Sequence, residues 1–391
     1  MQTNKKMIRI TTVPISLRVL LKQQLRFMSA YFQVIGVSSP GETLMEVAKQ
    51  EGVTTIAIPM TRSITPVKDL KALWQLYRLF KKERPQIIHT HTPKAGLLGM
   101  MAGRVARIPI RMHTVAGLPL MESKGFKKKM LEFTERLTYS CATSIYPNSK
   151  NLANFIIKKK YCHPGKLKVL GNGSSNGIDM EFFKLNPDSI SSADELKKKW
   201  NVTENHFVFL FVGRLVKDKG IEELIDAFTR LKQTQTSIKL LLVGPFEEEL
   251  DPISGKAKQI IEQDTDIIHV GFQQDIRPYL ALSQVLTFPS YREGFPNVPM
   301  QAGCFNLPSI VTDINGCNEI IVHGKNGLII PVKDADALHR SMLALMTDVP
   351  LYLNLKANAR KMILDRYEQN KFWGILLDEY HDQLKKYAIL S

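Results

Sequence analysis

Residues 285–303, VLTFPSYREGFPNVPMQAG, run from an apolar segment through a tight loop into a helix. The short apolar run Val285–Phe288 is typical of a strand that is buried on both faces. The loop after it contains Gly294 and prolines, which end the strand and turn the chain. Strand, loop and helix in this order form the repeating unit of a parallel sheet covered by helices. This stretch therefore predicts an α/β fold.

The same order recurs along most of the 391-residue chain. Phe207–Val212 predicts a strand that ends at Gly213, and Ile221–Leu231 predicts the helix after it. Closer to the start, Met7–Val13 predicts a strand and Leu17–Phe32 a helix whose leucines form one stripe. Because domains average roughly 150 residues, two alternating series predict two Rossmann-like units in tandem.

A segment rich in Gly, Ser, Asn and Asp, Asn172–Pro187, predicts the join between the two units. We therefore predict an N-terminal Rossmann-like domain at residues 1–185 and a second one at residues 186–370. The chain is strongly helical over Leu351–Leu390. We expect its last part, residues 371–391, to pack back on the first domain as a C-terminal helix.

Ligands of open parallel sheets bind beyond the carboxyl ends of the strands, so the loops after the strands are candidate sites. In the loop Gly213–Gly220, glycine permits a tight turn, and Arg214 and Lys219 place two cations beside the next helix. Such cations bind a diphosphate together with helix-terminus amides. In the loop Glu293–Pro296, a carboxylate can accept hydrogen bonds from sugar hydroxyl groups. These loops alone leave open a solvated basic turn and a capping carboxylate.

Taken together, these motifs resemble glycosyltransferase family 4. The loop Gly213–Gly220 matches that family, with Arg214 and Lys219 at its diphosphate-binding positions. The other C-terminal segments that carry the resemblance are Glu293–Gln301, Ala302-Gly303, Pro308–Asp313, Gly316, Glu319 and Gly324–Gly327. The N-terminal segments that are similar to the family are Ile87–Thr92, Arg111–Thr114 and Lys168–Asp179.

The resemblance implies a retaining glycosyltransferase of GT-B fold, in which two Rossmann-like parallel-sheet domains face a cleft. Such an enzyme transfers a hexose or an N-acetylhexosamine. We expect the C-terminal domain to bind a UDP-sugar donor, and the N-terminal domain to bind a lipid-linked glycan acceptor of surface-polysaccharide biosynthesis. The implied catalytic residues are His113, Arg214, Lys219 and Glu293. The implied donor-binding residues are Gly213, Arg214, Lys219, Glu293, Gly294, Phe295, Pro296, Asn297, Val298 and Gln301.

At one site position the chain departs from the family pattern. The family has two glutamates eight residues apart, and the second holds the nucleotide ribose, whereas here the second position is Gln301. Its amide donates and accepts hydrogen bonds but lacks the stronger charge-assisted bond of a carboxylate. The chain also has Thr11–Ser16 where many members carry a glycine-rich loop.

We expect neither a metal ion nor another cofactor. His89 and His91 point the same way along an extended segment, but no third ligand accompanies them. Asp334–Asp336 superficially matches the metal-binding DxD motif of another glycosyltransferase class, and capping of the following helix explains it better. Asp264–Asp266 is interpreted as a turn. The four cysteines form no CxxC pair.

The charge is unevenly distributed along the chain. Residues 1–185 hold 30 of the 53 Lys and Arg residues and 10 of the 37 Asp and Glu residues, a net charge of +20, and the remainder has −4. The basic clusters are Arg18, Lys22 and Arg26 on one predicted helical face, Lys124–Lys129 in a predicted loop with Phe126, and Lys158–Lys160. We expect this half to bind an anionic membrane surface.

No apolar run reaches the roughly 18 residues of a membrane span, and the N-terminus predicts a strand rather than a signal peptide. We therefore expect a cytoplasmic protein, peripherally associated with the inner face of the plasma membrane. Nucleic acid is not an expected partner, because the basic clusters lack a DNA- or RNA-binding signature. Three alternatives stay open: a UDP-sugar epimerase of similar fold, a non-catalytic protein that binds nucleic acid or membranes, and a degenerate transferase that only binds its ligand.

Overall fold

The computed structural model describes residues 5–118, 120, 124–249 and 251–388. The chain forms two compact units, Met1–Gly177 with Gln369–Ser391, and Ile178–Glu368. The predicted limit after residue 185 lies downstream of the first division, after Gly177, and the predicted limit after residue 370 lies downstream of the second, after Glu368. The first division comes earlier because Ile178 is already buried in the hydrophobic core of the second unit.

The first unit is built on a parallel sheet. Its strands are β1 Lys6–Ile10, β2 Gln33–Ser38, β3 Thr54–Ala57, β4 Ile87–Thr90, β5 Ile110–Val115 and β6 Ser144–Pro147. Among the described residues they form one six-stranded sheet in the order β3-β2-β1-β4-β5-β6, with every neighbouring pair parallel. The helices of this unit are α1 Pro14–Leu20, α2 Gln24–Ser29, α3 Glu42–Glu51, α4 Pro66–Glu83, α5 Pro93–Val105, α6 Gly125–Cys141, α7 Lys150–Lys158 and, at the end of the chain, α16 Gln369–Lys386.

The second unit repeats this architecture. Its strands are β7 Phe207–Val212, β8 Ile238–Val243, β9 Ile267–His269, β10 Val285–Phe288, β11 Ser309–Thr312 and β12 Gly327–Ile330. Over the described part of the unit the sheet is again six-stranded and parallel, in the order β12-β11-β10-β7-β8-β9. Its helices are α8 Pro187–Lys199, α9 Ile221–Lys232, α10 Gly255–Gln263, α11 Arg277–Leu282, α12 Asn297–Cys304, α13 Cys317–Ile320, α14 Ala335–Thr347 and α15 Val349–Tyr367.

Each sheet has the strand order of a Rossmann fold, with a point where the order along the chain reverses. In the first unit this switch lies between β1 and β4, and in the second between β7 and β10. The loops that leave two such neighbouring strands run to opposite faces of the sheet and open a crevice between them. The topology therefore directs attention to the loops after β7 and β10, which contain most of the predicted site residues.

The C-terminal helix completes the core of the first unit. Trp373 and Tyr380 of α16 are buried in the same hydrophobic cluster as Phe32. The strongly helical segment expected at Leu351–Leu390 contains two helices in the described part of the chain, α15 and α16. The chain leaves helical geometry at Glu368, with φ −55° and ψ 133°, between α15 and α16.

The single helix expected at Leu17–Phe32 is wrong. The chain forms α1 and α2 instead, because Gln23 adopts a left-handed backbone conformation with φ 64°. The break allows both Leu21 and Gln24 to be fully buried. An apolar stripe in the sequence does not reveal such a local interruption.

The basic face expected from Arg18, Lys22 and Arg26 is lost for the same reason, since these residues belong to two helices and the segment between them. The guanidinium of Arg18 lies 2.9 Å from a carboxylate oxygen of Glu46, and that of Arg26 donates to the carbonyl oxygen of Gln50. Both guanidinium groups are therefore engaged within the first unit.

The loop expected around Lys124–Lys129 is also wrong. Helix α6 begins at Gly125, so that Phe126 and Lys127–Lys129 form its first turn. The Phe126 side chain is 83% exposed. The cluster thus presents its aromatic ring and cations from a helix end rather than from a flexible loop.

Candidate functional site

The loops after β7 and β10 approach each other closely at the switch point of the second sheet. Gly220, at the end of the first loop, has a left-handed backbone with φ +69°. A Cβ atom at this position would lie 2.2 Å from the carbonyl oxygen of Pro289, which begins the second loop. Only glycine permits both the backbone conformation and this approach.

This approach joins two predicted site residues that are far apart in the sequence. The ammonium Nζ of Lys219 lies 2.6 Å from Oε1 of Glu293, and the two side chains are 15% and 16% exposed. The hydroxyl of Ser290 donates to the same carboxylate oxygen at 3.1 Å. The carboxylate is therefore held in place by a cation and a neutral donor, at the carboxyl end of the sheet.

The backbone of the second loop is fixed from the other side by the residues after β11. The side-chain amide of Asn315 donates to the carbonyl oxygens of Glu293 and Gly294. Gly316 has φ +78°, and a Cβ atom there would lie 2.7 Å from the carbonyl oxygen of Gly294. The Phe295 ring packs on Tyr367 with 5.5 Å between ring centroids.

Helix α12 follows this loop directly. Pro296 precedes its first residue and makes no side-chain capping bond. The first amides of a helix have no partner within the helix and carry a partial positive charge. The loop and the helix end together can therefore meet a negatively charged ligand with backbone donors, as the predicted diphosphate site requires.

The two arginines of these loops are also paired with carboxylates. The guanidinium of Arg214 bonds to Glu247, and the Arg214 side chain is 49% exposed. Arg292 donates two hydrogen bonds to Oδ2 of Asp218, at 2.9 and 2.7 Å. The predicted cation pair Arg214 and Lys219 is thus divided, since each cation has its own carboxylate partner.

Gln301, the position where the family pattern has a glutamate, lies on α12 and is half-buried. Its side-chain amide makes no hydrogen bond to any described residue. Two further predicted donor residues, Asn297 and Val298, lie in the first turn of the same helix. The structure therefore leaves the Gln301 amide available to a ligand.

His113 belongs to the first unit, at the carboxyl half of β5. Its Nδ1 lies 2.7 Å from the hydroxyl of Thr90. Gly96 of α5 makes room for the ring, because a Cβ atom there would lie 2.4 Å from Cε1 of His113. Burial lowers the pKa of His113 to about 4, so the imidazole is neutral at neutral pH.

Acidic and histidine residues do not assemble into a metal centre within the described ranges, where no group of three or more such ligands occurs. Asp334 caps α14 by accepting from the amide of Ala337 at 2.8 Å. Asp264 and Asp266 both pair with Lys232. The interpretation of these aspartates as a cap and a turn is confirmed.

The structure adds residues that the sequence alone did not single out. Ser290 and Asn315 hold the Glu293 loop, and Glu247 binds Arg214. Asn315 follows the end of β11 closely, so the strand-end rule gave a signal for it. The same rule gave a signal for Ser290, which follows β10 by two residues, but the partners of Ser290 and Glu247 depend on how separate loops meet.

Two Rossmann-like units in one chain, with charged loops at the switch point of the second sheet, agree with the GT-B fold. The family model for glycosyl transferases group 1 matches residues 192–362, and that for the glycosyl transferase 4-like domain matches residues 30–173. This chain belongs to the glycosyltransferase family that these two models describe, one for each half of the chain. The predicted family and fold class are confirmed.

Relatives of nearly full length agree with this assignment. The chain is 33% identical to the capsular polysaccharide biosynthesis glycosyltransferase CapM of Staphylococcus aureus, over 98% of each chain. It is 29% identical to the UDP-Gal:alpha-D-GlcNAc-diphosphoundecaprenol alpha-1,3-galactosyltransferase of Escherichia coli, over 83% of this chain and 82% of the other. The Anabaena protein Alr3699/HepE in complex with UDP has the same fold, with a TM-score of 0.80 at 18% identity, over 97% of this chain and 100% of that one.

These comparisons decide between enzyme classes where the fold does not. An epimerase of similar fold would present the same two sheets, whereas the family models and these relatives are glycosyltransferases. The protein is therefore a glycosyltransferase.

Proposed function

We propose that this glycosyltransferase moves a hexose or an N-acetylhexosamine from a UDP-sugar to a lipid-linked glycan, with retention of anomeric configuration, in surface-polysaccharide biosynthesis. The named activity of the Escherichia coli relative supports both substrates, since it uses UDP-galactose and a diphosphoundecaprenol-linked sugar. The Anabaena structure of the same fold contains UDP. CapM, which is similar over the whole chain, acts in capsular polysaccharide biosynthesis.

The observation that carries the donor-site proposal is the contact between Lys219 and Glu293 at the switch point of the second sheet. A carboxylate there can accept hydrogen bonds from sugar hydroxyl groups, while the ammonium faces the phosphate side of a donor. Negative charge develops on the diphosphate as the glycosidic bond breaks, and a fixed cation stabilises that charge most in the transition state.

Arg214 supplies a second cation in this proposal. In the structure its guanidinium is bound to Glu247 at a half-exposed position, where solvent weakens an ion pair. A diphosphate offers more negative charge and bidentate oxygen pairs. We therefore expect Arg214 to exchange Glu247 for the diphosphate when the donor binds, together with the first amides of α12.

His113 is proposed to contact the acceptor side of the reaction. Its neutral ring can donate or accept a hydrogen bond, but a pKa of about 4 makes it a weak base. Proton removal from the acceptor is therefore assigned to the departing phosphate, with His113 in a secondary role. The reaction is proposed to need no metal ion or other cofactor, because the cations named above provide the positive charge.

A panel of nucleotide sugars in a thermal unfolding assay tests the donor proposal. A ligand that binds the folded protein at about 100 times its Kd stabilises it by about 2.7 kcal/mol. We expect one or more UDP-sugars to raise Tm, and Lys219→Met to remove most of the shift. If no UDP-sugar raises Tm while another nucleotide sugar does, the uridine assignment is wrong.

NMR of the anomeric proton in the product tests retention of configuration, and a product with inverted configuration contradicts it.

The membrane part of the proposal rests on exposed apolar side chains of the first unit that lie beside lysines. On α4, Val67, Leu70 and Trp74 follow helical i, i+3, i+7 spacing and are 83%, 68% and 56% exposed. Lys68 and Lys71 lie between them in the sequence. An amphipathic face of this composition lies in the headgroup region of anionic membranes.

Helix α6 contributes a second group of the same kind. Phe126 and Phe133 are exposed, and Lys127–Lys129 form the first turn. Cations are unfavourable at the positive end of a helix, so anionic headgroups close to this turn would relieve the repulsion. Within the described ranges, no helix is long and apolar enough to cross a membrane. These two exposed groups are proposed to dock the protein peripherally on the inner leaflet.

Co-sedimentation with liposomes tests this surface. Each cation near an anionic surface contributes about 1 kcal/mol, so replacing Lys127, Lys128 and Lys129 by glutamate should abolish binding to anionic vesicles. The matched control replaces Lys197–Lys199 of α8, in the second unit, by glutamate and changes the net charge equally. Equal loss in both triple variants, or equal binding to neutral and anionic vesicles, contradicts the proposed surface.

A further inference from the structure

A buried arginine lies at the switch point of the first sheet, outside the residues assigned above. Arg9 is in β1 and His91 follows β4, the two strands between which the order reverses. Arg9 is fully buried and His91 is 4% exposed. A buried guanidinium is costly unless all its donors and its charge are compensated.

Part of the Arg9 side chain is satisfied by protein acceptors. Its Nε donates to Nε2 of His91 at 3.0 Å, and its Nη2 donates to Oε1 of Gln24. The Gln24 amide is itself fixed, because its Nε2 donates to Oδ1 of Asn176 at 2.8 Å. That oxygen also accepts from the indole nitrogen of Trp373 at 2.7 Å. Because an indole nitrogen can only donate, Oδ1 of Asn176 is an acceptor, and the nitrogen of the Gln24 amide must donate to it.

Two buried nitrogen atoms of this cluster have no acceptor in the described part of the chain, namely Nη1 of Arg9 and Nδ1 of His91. Burial and the neighbouring His89 and Arg9 hold the pKa of His91 well below its usual value, so the ring is neutral. Because Nε2 accepts from Arg9, the single ring proton is on Nδ1. Both atoms are therefore donors, and both need an acceptor.

The guanidinium carbon of Arg9 lies 5.9 Å from the ring centroid of Tyr380, a cation–π contact that does not neutralise its charge. No carboxylate forms an ion pair with Arg9 among the described residues, whereas the buried carboxylate of Glu379 in the same unit already binds Tyr146 and Lys168. Burial lowers the pKa of Arg9, but a guanidinium stays protonated at neutral pH. A water molecule would accept the hydrogen bonds of this cluster and leave its charge unbalanced.

A small cavity adjoins the cluster, and its lining includes Gln24 and His91, which accept from Arg9, together with Ser174 and Ser175. It has room for about one water-sized occupant. We propose that this cluster binds a monovalent anion of chloride size, which accepts from Nη1 of Arg9 and from Nδ1 of His91. The anion would balance the buried charge beneath the switch point of the first sheet. This proposal does not depend on the donor site.

Thermal unfolding of the full-length protein in sodium chloride and in sodium gluconate of equal ionic strength tests the proposal. A site-bound anion at about ten times its Kd should raise Tm by about 3–6 °C, and bromide should replace chloride. Arg9→Met removes the charge and should abolish the difference between the two salts. Arg18→Met, at an exposed arginine of α1, is the matched control and should keep it.

A second variant covers the case in which Arg9→Met does not fold. Gln24→Glu places a carboxylate beside Nη2 of Arg9, so the chloride shift should disappear because the charge is balanced internally. Equal Tm in chloride and gluconate for the unmodified protein overturns the proposal, as does an undiminished shift in Gln24→Glu. In crystals soaked with bromide, an anomalous peak within hydrogen-bond distance of Nη1 is expected, and its absence contradicts the site. Stabilisation by phosphate but not by chloride also overturns it.

Discussion

Lys219→Met is the most informative single change, because it removes the cation that faces Glu293 and keeps a side chain of similar length. At 2.6 Å between Nζ and Oε1, the attraction is about 6 kcal/mol at an effective dielectric constant of about 20. Desolvation of two mostly buried ions offsets most of it. Loss of an exposed pair costs less than about 1 kcal/mol and of a buried pair about 3–5 kcal/mol, so we expect about 2 kcal/mol of destabilisation.

The same change should lower kcat on the order of 100-fold, because the developing diphosphate charge would lose one of the two cations proposed to stabilise it. The double variant Lys219→Met/Glu293→Gln separates structure from catalysis, since the neutral amide no longer needs a cation. Denaturant unfolding should then show recovered stability, while the transfer rate stays low. Lys217→Met, at an exposed lysine of the same loop, is the control for both assays. Full activity of Lys219→Met, or recovery of activity in the double variant, refutes the assigned role.

Gln301→Glu should tighten UDP binding or leave it intact, as measured by calorimetry, and a strong loss would mean that the pocket is built around the amide. Transfer should survive EDTA, and a loss that manganese restores would contradict metal independence. The unfolded chain binds a proton at His113 near pH 6.5 and the folded protein only near pH 4. The free energy of unfolding should therefore fall as the pH is lowered from about 6.5 to about 4. His113→Gln should show a smaller fall, and an unchanged fall would mean that other groups cause it.

The central strands are the part of the fold that the sequence predicts best. The predicted segments Phe207–Val212 and Val285–Phe288 agree with β7 and β10 residue by residue. Both strands lie in the middle of a parallel sheet that is covered on two faces, so their residues are mostly apolar and form short runs that stand out in the sequence. The break at Gln23 was missed, because the leucines around it form a helical stripe whether or not the helix continues.

The candidate site was predictable in position but not in its internal contacts. The rule that ligands bind at the carboxyl ends of parallel strands placed Lys219 and Glu293 in neighbouring loops, and the structure brings them into contact. The pairing of Arg214 with Glu247 was not predictable, since Glu247 lies in the loop after β8 and its reach depends on the course of that loop. Ser290 and Asn315 likewise act through loop geometry that residue types do not reveal.

The central claim is that the second unit binds a nucleotide sugar at Lys219 and Glu293 and that the enzyme passes the sugar to a lipid-linked acceptor. A transfer assay with a radiolabelled UDP-sugar and a diphosphoundecaprenol-linked sugar tests it most directly. We predict label in the organic-extractable lipid only when donor and acceptor are both present, reduced on the order of 100-fold in Lys219→Met and unchanged in Lys217→Met. Release of UDP with a free modified sugar in the absence of acceptor, or equal transfer by both variants, contradicts the account.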